Sequence, residues 1–437
     1  MTILGEFIRK MVSKFGRLIF NMLTPFTFYI WSMAFLSVFI SLFWIIVNSA
    51  IKQHGRTLIT LKNYPLVTVA IPAWNEEKSI VSTLECILNL EYPRNKMQII
   101  VVDDNSEDDT SAVTKMFISN HKNIQLLRHS NNKGKAAAMN TALKHANGEL
   151  FWVYDADSYA SKDLLKNLVC KFYEKDNETI GAVVAITLIK NQGNWVERMQ
   201  RLEYVMTAFM RKMTGSTDTL HTTNALSLFR TEVIKKINGF DEGNLTEDFE
   251  IAMRMRYKGY RIVMCEKGNF YTRVPNKIRN MWFQRVRWFR GFIHNTLKYK
   301  SMAFNKQFGL LGLFQIPLEI FVLLALFFSL ALFGYHIVGE VINLISMIYI
   351  TGYNFFDYFR LPSFNQFFLE LNWKLLFPSL VVLFSALYLY IEAHRYVGER
   401  WKFYIPSLLY LFVYPLFRSM QWIHAASLEI FGAKKKW

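Results

Sequence analysis

The stretch 66-LVTVAIPAWNEE-77 decides the fold, because an apolar run ends there abruptly in a polar loop. A second stretch, 98-QIIVVDDNSEDDT-110, repeats this arrangement, and a helical segment around residues 78–90 separates the two. Buried strands that alternate with helices indicate a parallel α/β sheet. We therefore expect a mostly parallel, Rossmann-like α/β domain. The alternation continues through 124-IQLLRHS-130, a helix around 135–146 and the strand that opens 150-LFWVYDADSYA-160.

The composition indicates that the chain also meets a membrane. The 437 residues are 52% hydrophobic and include 38 Phe, which is unusual for a soluble enzyme and predicts membrane segments. The net charge of +17 is compatible with nucleic acid, an anionic membrane surface or a phosphate-bearing substrate, and the apolar excess favours the last two. We expect no nucleic-acid partner, because the basic charge lies beside the apolar segments rather than in the α/β block.

Two further features limit the class of protein. Cys86, Cys170 and Cys265 lie far apart in apolar contexts without C-x-x-C spacing, so we expect reduced core thiols rather than disulfides or a metal site. We expect no cleavable signal peptide, because Lys10, Lys14 and Arg17 charge the N-terminal segment.

Apolar segments predict membrane elements on both sides of an α/β domain at 63–270. Residues 1–25 have helical apolar spacing with basic residues between, which predicts an interfacial amphipathic helix, and 26–50 predicts a transmembrane helix. The basic, aromatic segment 276–300 predicts a second interfacial helix. Within 305–437 the candidate spans are Phe308–Gly334, Leu375–Ile391 and Phe403–Phe417, and Val341–Tyr349 is either interfacial or part of a tilted span.

Four polar clusters fall where the predicted strands end. Ligands of open α/β sheets bind at the carboxyl ends of parallel strands, so these clusters should share one site. Each has an ordinary interpretation as a helix cap, a turn or an exposed loop, but four at successive strand ends favour a nucleotide-sugar site. Carboxylates can accept bonds from a base and a ribose, and lysines can meet a diphosphate. The candidates are Pro72, Ala73, Asn75, Glu76, Asp103, Asp104, Lys133, Lys135 and Asp155.

The carboxylates Asp155 and Asp157 are candidate metal ligands. Residues i and i+2 of an extended segment point to the same side, so the two carboxylates repel each other unless a cation lies between them. Alone, such a pair is typical of a solvated turn. Beside a diphosphate, it predicts Mg²⁺ or Mn²⁺, which take oxygen ligands from one or two carboxylates and from substrate phosphates.

Two later segments carry candidate catalytic and acceptor residues. In 245-LTEDFEIAMRMRYKGY-260, Thr246 can cap a helix whose first turn contains Glu247 and Asp248. We predict Asp248 as the general base that takes a proton from an acceptor hydroxyl, with Glu247 as the neighbour most easily confused with it. In 284-QRVRW-288, the side chains either anchor the helix in the membrane interface or hold the reactants. Gln284 and Arg287 would then bind the diphosphate and Trp288 a sugar ring.

As a set, these motifs resemble the family 2 processive glycosyltransferases, the membrane synthases of poly-N-acetylglucosamine, cellulose, chitin oligomers and hyaluronan. The resemblance covers roughly 66–291 and rests on Asp104 in DDNS, Asp157 in DAD, Asp248 in TED and the QRVRW motif. In the family these bind the uridine, coordinate the metal, deprotonate the acceptor and hold the diphosphate and acceptor. The segment 222-TTNALSLFRTEVI-234 is similar to the family's acceptor-lining stretch, which implies Thr223 and Asn224 as acceptor neighbours.

The resemblance implies a GT-A catalytic domain on the cytosolic face of the plasma membrane, inserted between interfacial and transmembrane helices that form a polymer channel. It implies an inverting, processive reaction on a UDP-sugar, and the TED motif is closest to the poly-N-acetylglucosamine synthases, which points to UDP-GlcNAc. The implied partners are the UDP-sugar donor, the growing polysaccharide, the lipid bilayer and, optionally, a small accessory membrane subunit.

Three alternatives remain open from the sequence. The first is a hyaluronan- or glucan-type synthase of the same family. The second is a non-processive transferase to polyprenyl phosphate, although such enzymes generally lack QRVRW and a phosphate acceptor hardly needs a base. The third is a membrane transporter, which would use Glu319, the only ionisable carboxylate or base in Phe308–Gly334.

Overall fold

The computed structural model describes residues 25–53, 61–121, 123–174, 178–351, 373–398 and 405–433. The predicted helix at 1–25, apart from its last residue, and the basic tail 434–437 lie outside the described residues. The chain divides into two compact units. One comprises 1–54 with 331–398, and the other comprises 55–330 with 399–437.

We call the unit of residues 55–330 and 399–437 the catalytic unit, because the sequence places all the candidate site residues in it. It contains eight described strands and the helices between and after them. The strands are β1 (Val67–Ala73), β2 (Met97–Asp103), β3 (Ile124–Arg128), β4 (Leu150–Val153), β5 (Tyr159–Ala160), β6 (Ile180–Ile189), β7 (Leu228–Arg230) and β8 (Arg261–Thr272). The helices are α2 (Ile80–Leu88), α3 (Thr110–Ile118), α4 (Lys135–Lys144), α5 (Leu164–Phe172), α6 (Trp195–Ser216), α7 (Thr231–Lys236), α8 (Glu247–Tyr257), α9 (Ile278–Lys298), α12 (Ile405–Leu408) and α13 (Tyr414–Ile430).

The strands form one sheet in the order β3-β2-β1-β4-β7-β6-β8-β5. The first four strands are parallel, which confirms the predicted α/β alternation, and β6 also pairs in parallel with β8. Strand β7 runs antiparallel to both β4 and β6, and β5 runs antiparallel to β8, so the second half of the sheet is mixed. The direction of a three-residue strand such as β7 leaves no mark in the apolar pattern, which explains why the sequence does not predict it.

The core explains why these runs become central strands. Every residue of β4 and β6 is buried, so both faces of the sheet are covered and the runs are apolar throughout. Trp152 is fully buried, and its indole N–H donates to the carbonyl of Leu226 at 3.2 Å. The three cysteines are free thiols; Cys170 and Cys265 lie in the core as predicted, whereas Cys86 is half-buried.

Helix α9 is the predicted basic, aromatic segment, and it packs along α13. The rings of Phe289 and Trp422 stack with centroids 4.1 Å apart, and Trp282 donates to His424 Nδ1 at 2.9 Å. Arg290 Nε donates to Glu429 Oε1 at 2.6 Å. Because stacked rings and ion pairs both join the two helices, α9 is held along its length.

Three described helices are long and apolar enough to cross a membrane: Phe26–Ile51, Leu311–Ile350 and Leu376–Tyr396. The predicted segment Phe308–Gly334, apart from its first three residues, and the predicted segment Val341–Tyr349 belong to one continuous helical stretch of 40 residues, Leu311–Ile350. The candidate span Phe403–Phe417 is not one of the three; its described part runs through α12, a π-helical turn at Leu409–Val413 and the start of α13. Helix α13 buries the polar side chains of Ser419 and Gln421 in the protein, so it is less apolar than the three helices of membrane-crossing length.

In the other unit, α1 (Pro25–Gln53) packs against α11 (Trp373–Tyr396). Asn48 Nδ2 donates to Glu392 Oε2 at 3.0 Å, so a buried polar pair joins two helices of membrane-crossing length. The third such helix includes α10 (Ile316–Thr351). Its first residues, up to 330, belong to the catalytic unit, where Glu319 accepts from Gln315 Nε2 at 2.6 Å and lies 3.2 Å from His221 Nε2.

Candidate active site

Two adjoining cavities, of about 700 and 520 Å³, lie at the carboxyl ends of the parallel strands. We call the first the nucleotide lobe and the second the acceptor lobe. Both are lined by Lys135, Asp155 and Asp157, so these three side chains mark the boundary that the lobes share. The β1–β2 register places Ala73 opposite Asp103, which brings the loops after these strands to one edge.

The nucleotide lobe is lined by most of the residues that the sequence predicts for donor binding. Two predicted residues instead hold the loops in place. Asn75, with φ at 56°, donates its N–H to Ser106 Oγ and accepts from the N–H of Glu107. Asp103 is fully buried, accepts from the N–H of Ser106 and pairs with Arg128 at 3.2 Å. The lobe is lined by Pro72, Ala73, Glu76, Asp104, Lys133, Lys135, Asp155 and Asp157.

Asp104 shapes the loop that precedes α4. Its carboxylate accepts from the N–H groups of Lys133 and Gly134 at 2.9 and 2.6 Å, and it lies 2.6 Å from His129 Nδ1. Gly134 has φ at 89°, a conformation that side chains with a Cβ avoid. The loop therefore places Lys135 at the first position of α4, where its ammonium group reaches the shared boundary.

Asp155 and Asp157, at the boundary of the two lobes, have several charged side chains close to them. Lys135 Nζ lies 2.5 Å from Asp155 Oδ1 and 3.7 Å from Glu247 Oε1. Burial, together with the charges of Asp155 and Glu76, raises the pKa of Asp157 to about 6. The described residues contain no group of three or more His, Cys, Asp or Glu side chains arranged for a metal. A divalent ion here would therefore rest on the two aspartates and on phosphate oxygens, which is how proteins usually hold Mg²⁺.

The acceptor lobe separates the two candidate bases by exposure. Glu247 is buried beside Lys135, and burial raises its pKa. Asp248 is exposed, lines the lobe and accepts from the N–H of Phe249 at 2.8 Å. Thr246 precedes α8 as predicted but makes no side-chain capping bond; its hydroxyl accepts from Asn295 Nδ2 at 3.1 Å instead.

The predicted acceptor residues take different positions. Thr223 is buried, and its hydroxyl donates to the carbonyl of Asp248 at 2.7 Å, so it holds the first turn of α8. Asn224 lines the lobe while its Nδ2 donates to the carbonyl of Ala185 at 2.8 Å. On α9, Trp288 lines the acceptor lobe, and Gln284 and Arg287, which the sequence predicts for the donor diphosphate, line this lobe rather than the nucleotide lobe.

The residues 68–238 match the family model described as "Glycosyl transferase family 2". This chain carries a family 2 glycosyltransferase domain. The match includes every residue that lines the nucleotide lobe, and it confirms the predicted family 2 domain.

Relatives of the domain have related names. The chain is 32% identical over 253 residues to the probable glycosyltransferase YdaM of Bacillus subtilis, which covers 56% of this chain and 59% of that protein. It is 27% identical over 269 residues to the poly-beta-1,6-N-acetyl-D-glucosamine synthase of Staphylococcus epidermidis, covering 59% and 64%. The matched region thus spans about three fifths of the length of these relatives.

A solved structure supports the GT-A fold class. A mannosyltransferase from Pyrobaculum calidifontis, in complex with GDP-Man and Mn²⁺, superimposes with a TM-score of 0.60. The superposition covers 93% of this chain and 99% of that one at 19% sequence identity, so the likeness shows the fold alone. The predicted GT-A domain flanked by helices of membrane-crossing length is confirmed.

Several side chains of the candidate site have no clear signal in the sequence. Arg285 is fully buried within the QRVRW motif, donates to Glu203 Oε2 at 2.8 Å and places its guanidinium carbon 4.0 Å from the centre of the Trp288 ring. Tyr414 on α13 also donates to Glu203, at 2.7 Å. Although burial opposes ionisation, Arg285 and Arg418 together lower the pKa of Glu203.

Two more residues that the sequence analysis did not identify line the two lobes. Trp74 is 53% exposed and lines the nucleotide lobe, where a flat ring can stack on a base. Arg211 on α6 lines the acceptor lobe and donates to the carbonyl of Thr223 at 3.1 Å; burial lowers its pKa, while the charge of Asp248 opposes this. Polar residues on a helix that also has apolar residues, such as α6, usually face solvent. The sequence therefore does not predict that Arg211 lines a cavity.

The contact between Gly291 and Thr246 sets the spacing of α9 and α8. A Cβ added to the buried Gly291 would overlap the Thr246 side chain. We expect Gly291→Ala to lower stability by about 1–3 kcal/mol, the usual cost of overpacking, and to reduce transfer by separating Asp248 from Trp288. Unfolding and transfer assays on the purified protein check this.

The matched control is Gly334→Ala, a helical glycine whose added Cβ meets no atom within 4 Å. The double variant Gly291→Ala/Thr246→Gly removes the clashing atoms and should recover part of the loss. Equal stability of Gly291→Ala and the control would show that α9 and α8 adjust without strain.

Proposed function

We propose that this chain is an inverting, processive glycosyltransferase that polymerises UDP-GlcNAc into a β-linked polysaccharide and exports it across the membrane. The observation that carries the proposal is that Asp157, Asp248 and Trp288 line one lobe, although 91 and 40 residues separate them in sequence. The name of the Staphylococcus epidermidis relative supports the sugar, and the three helices of membrane-crossing length support export.

The nucleotide lobe supports binding of the donor. Trp74 would stack on the base, and Lys133 and Lys135 lie where a diphosphate would need positive charge. Gln284 and Arg287 approach from α9 across the acceptor lobe. Since Arg287 also donates to the carbonyl of Leu245 at 2.8 Å, its guanidinium group is held beside the segment that carries Asp248.

The acceptor lobe supports a single-displacement reaction. The exposed carboxylate of Asp248 would take the proton of an acceptor hydroxyl as that oxygen attacks the anomeric carbon, which inverts an α-linked donor into a β-linked product. Trp288 would hold the terminal sugar ring by its apolar face, and the Arg285 guanidinium group beneath it fixes the ring plane. Glu247 would keep Lys135 at the boundary rather than accept the proton.

The site residues fit a divalent cation. Asp155 and Asp157 would hold Mg²⁺ or Mn²⁺, and the ion would neutralise the charge that develops on the departing UDP. The raised pKa of Asp157 supports this fit, because it marks a carboxylate with too little positive charge around it.

Replacing Asp157 tests the metal site. We expect Asp157→Asn to weaken Mn²⁺-dependent UDP binding by roughly 10- to 100-fold, the usual range for losing one charged ligand. Calorimetric titration of UDP with and without Mn²⁺ measures the effect. Asp163→Asn, at the start of α5 and away from both lobes, is the control. A variant that still binds UDP only when Mn²⁺ is present, and as tightly as the original protein, would contradict the assignment.

A donor panel tests the proposed substrate and processivity. The purified protein in lipid nanodiscs is incubated singly with radiolabelled UDP-GlcNAc, UDP-Glc, UDP-GlcA and GDP-Man, and the products are sized and digested with linkage-specific glycanases. We expect long products from UDP-GlcNAc alone that a β-specific hexosaminidase degrades. Long products that require two donors would instead assign a hyaluronan-type synthase, and long products from UDP-Glc a glucan synthase.

A second candidate is a non-processive transferase to polyprenyl phosphate. One observation favours it: the half-buried Arg211 brings a positive charge into the acceptor lobe near Asp248, where it could bind a phosphate group. Transfer of one labelled sugar to added polyprenyl phosphate, without a longer product, would establish this alternative. The proposed synthase should leave polyprenyl phosphate unmodified.

A further inference from the structure

We propose that the catalytic unit binds a phosphate group in a third cavity, remote from both lobes of the active site, at the point where the chain enters its long apolar helix. This cavity has a volume of about 930 Å³ and is enclosed by the turn after α8, the end of α6 and the segment 301–310. None of its lining residues belongs to either lobe. The catalytic proposal therefore does not involve it.

The charges of this juxtamembrane cavity favour an anion. Arg256, Lys258 and Arg261 line it, and Asp218 is the only carboxylate among the lining residues. Lys258 is exposed and makes no ion pair within the described part of the chain. Three cations that face one carboxylate leave an excess of positive charge for a ligand to neutralise.

Asp218 orients the two arginines. Its Oδ1 accepts from Arg256 Nη1 at 3.0 Å and from Arg261 Nε at 3.1 Å, and its backbone carbonyl accepts from Arg256 Nη2 at 2.7 Å. Arg256 is buried, yet its Nε has no hydrogen-bond partner among the described residues. The terminal nitrogens of Arg261, whose side chain is 37% exposed, also have none in the described ranges. Arg261 is thus held through its Nε while its two terminal nitrogens can meet the paired oxygens of a phosphate group, and Arg256 adds positive charge beside it.

The surroundings indicate the source of the phosphate. The cavity lining ends at Gly309 and Leu310, directly before the apolar stretch Leu311–Ile350. Large apolar side chains stand exposed beside it, since Phe304 is 76% and Leu310 is 55% exposed. A phospholipid would place its phosphate among the cations and its acyl chains along these side chains. An anionic phospholipid headgroup is therefore the favoured ligand, and a soluble phosphate compound shares the same recognition chemistry.

The test uses the full chain purified in detergent and the double variant Lys258→Ala/Arg261→Gln. Native mass spectrometry measures binding of dioctanoyl-phosphatidylglycerol, with dioctanoyl-phosphatidylcholine as the neutral probe and inorganic phosphate as the soluble probe. Each cation near an anionic lipid accounts for roughly a fivefold change in affinity, so we expect about a 25-fold loss of phosphatidylglycerol binding. The variant Lys115→Ala/Lys144→Ala removes two exposed charges from α3 and α4 and should bind as the original protein does.

The outcomes separate the ligand sources. Loss of phosphatidylglycerol binding in the cavity variant alone supports the lipid. Loss of inorganic phosphate binding, without selective phosphatidylglycerol binding, supports a soluble phosphate compound at the same cations. Equal binding of both probes by the cavity variant and the control overturns the proposal. Because the exposed Lys258 side chain makes no ion pair or hydrogen bond with the described residues, Lys258→Ala alone should keep the original melting temperature and bind phosphatidylglycerol about fivefold more weakly.

Discussion

Replacing Asp248 with Asn should lower sugar transfer by about 10²- to 10⁴-fold, the range that general-base catalysis contributes, and should leave UDP binding nearly unchanged. Asn keeps the shape of the side chain and removes its ability to take a proton. The side chain is exposed in the acceptor lobe and accepts a hydrogen bond from the N–H of Phe249, which Asn can also accept, so donor affinity should change little. Transfer rates with labelled donor and calorimetry with UDP and Mn²⁺ separate the two effects.

Two control variants sharpen this result. Asp109→Asn changes an exposed aspartate at the start of α3 and should leave the rate intact. Glu247→Gln removes the buried partner of Lys135, so we expect weaker donor binding together with a smaller loss of rate. If Glu247→Gln abolished transfer while Asp248→Asn remained active, the roles of the two carboxylates would be reversed.

Breaking the buried pair of Arg285 and Glu203 should cause the largest loss of stability. Arg285→Met leaves the Glu203 carboxylate buried without its main partner, which typically costs about 3–5 kcal/mol of unfolding free energy. The double variant Arg285→Met/Glu203→Leu removes both charges and should recover most of this loss. Denaturant unfolding of the purified protein in mild detergent measures both variants.

The control for this pair is Arg198→Met, an exposed arginine on the same helix as Glu203, which should change stability by less than about 0.5 kcal/mol. The activity of the double variant adds a second test. Because Arg285 lies against the Trp288 ring, a positioning role predicts a raised KM for the acceptor even when stability recovers. If Arg285→Met were as stable as Arg198→Met, the buried pair would not hold α9 to α6.

The first four strands and their helices were predictable because buried parallel strands leave long apolar runs. The positions of Asp155 and Asp157 after β4, and of Glu247 and Asp248 in the first turn of α8, were predictable because a polar residue at the edge of an apolar or helical run marks the end or start of an element. Asp103 does not line the nucleotide lobe, because it is the last residue of β2 and its side chain is buried against Arg128 and the N–H of Ser106. Asp104 follows the strand, and its side chain lines the lobe.

The remaining site residues depend on contacts between distant segments. Arg285 and Glu203 are separated by 82 residues, and each alone resembles an ordinary charged residue of an amphipathic helix. Arg211 reaches the acceptor lobe only because α6 packs beside the sheet, against β6 and β8. The antiparallel pairs of the sheet were not predictable for the same reason, because the pairing of β7 with β4 joins segments about 80 residues apart.

The most direct test of the account measures release of UDP from UDP-GlcNAc by the purified protein in nanodiscs, with Mg²⁺, with Mn²⁺ and with a chelator. We predict steady release with either ion, none with the chelator, and a loss of release in both Asp157→Asn and Asp248→Asn. Folded protein that released no nucleotide from any sugar donor with either ion, or that worked equally well with the chelator, would contradict the central claim.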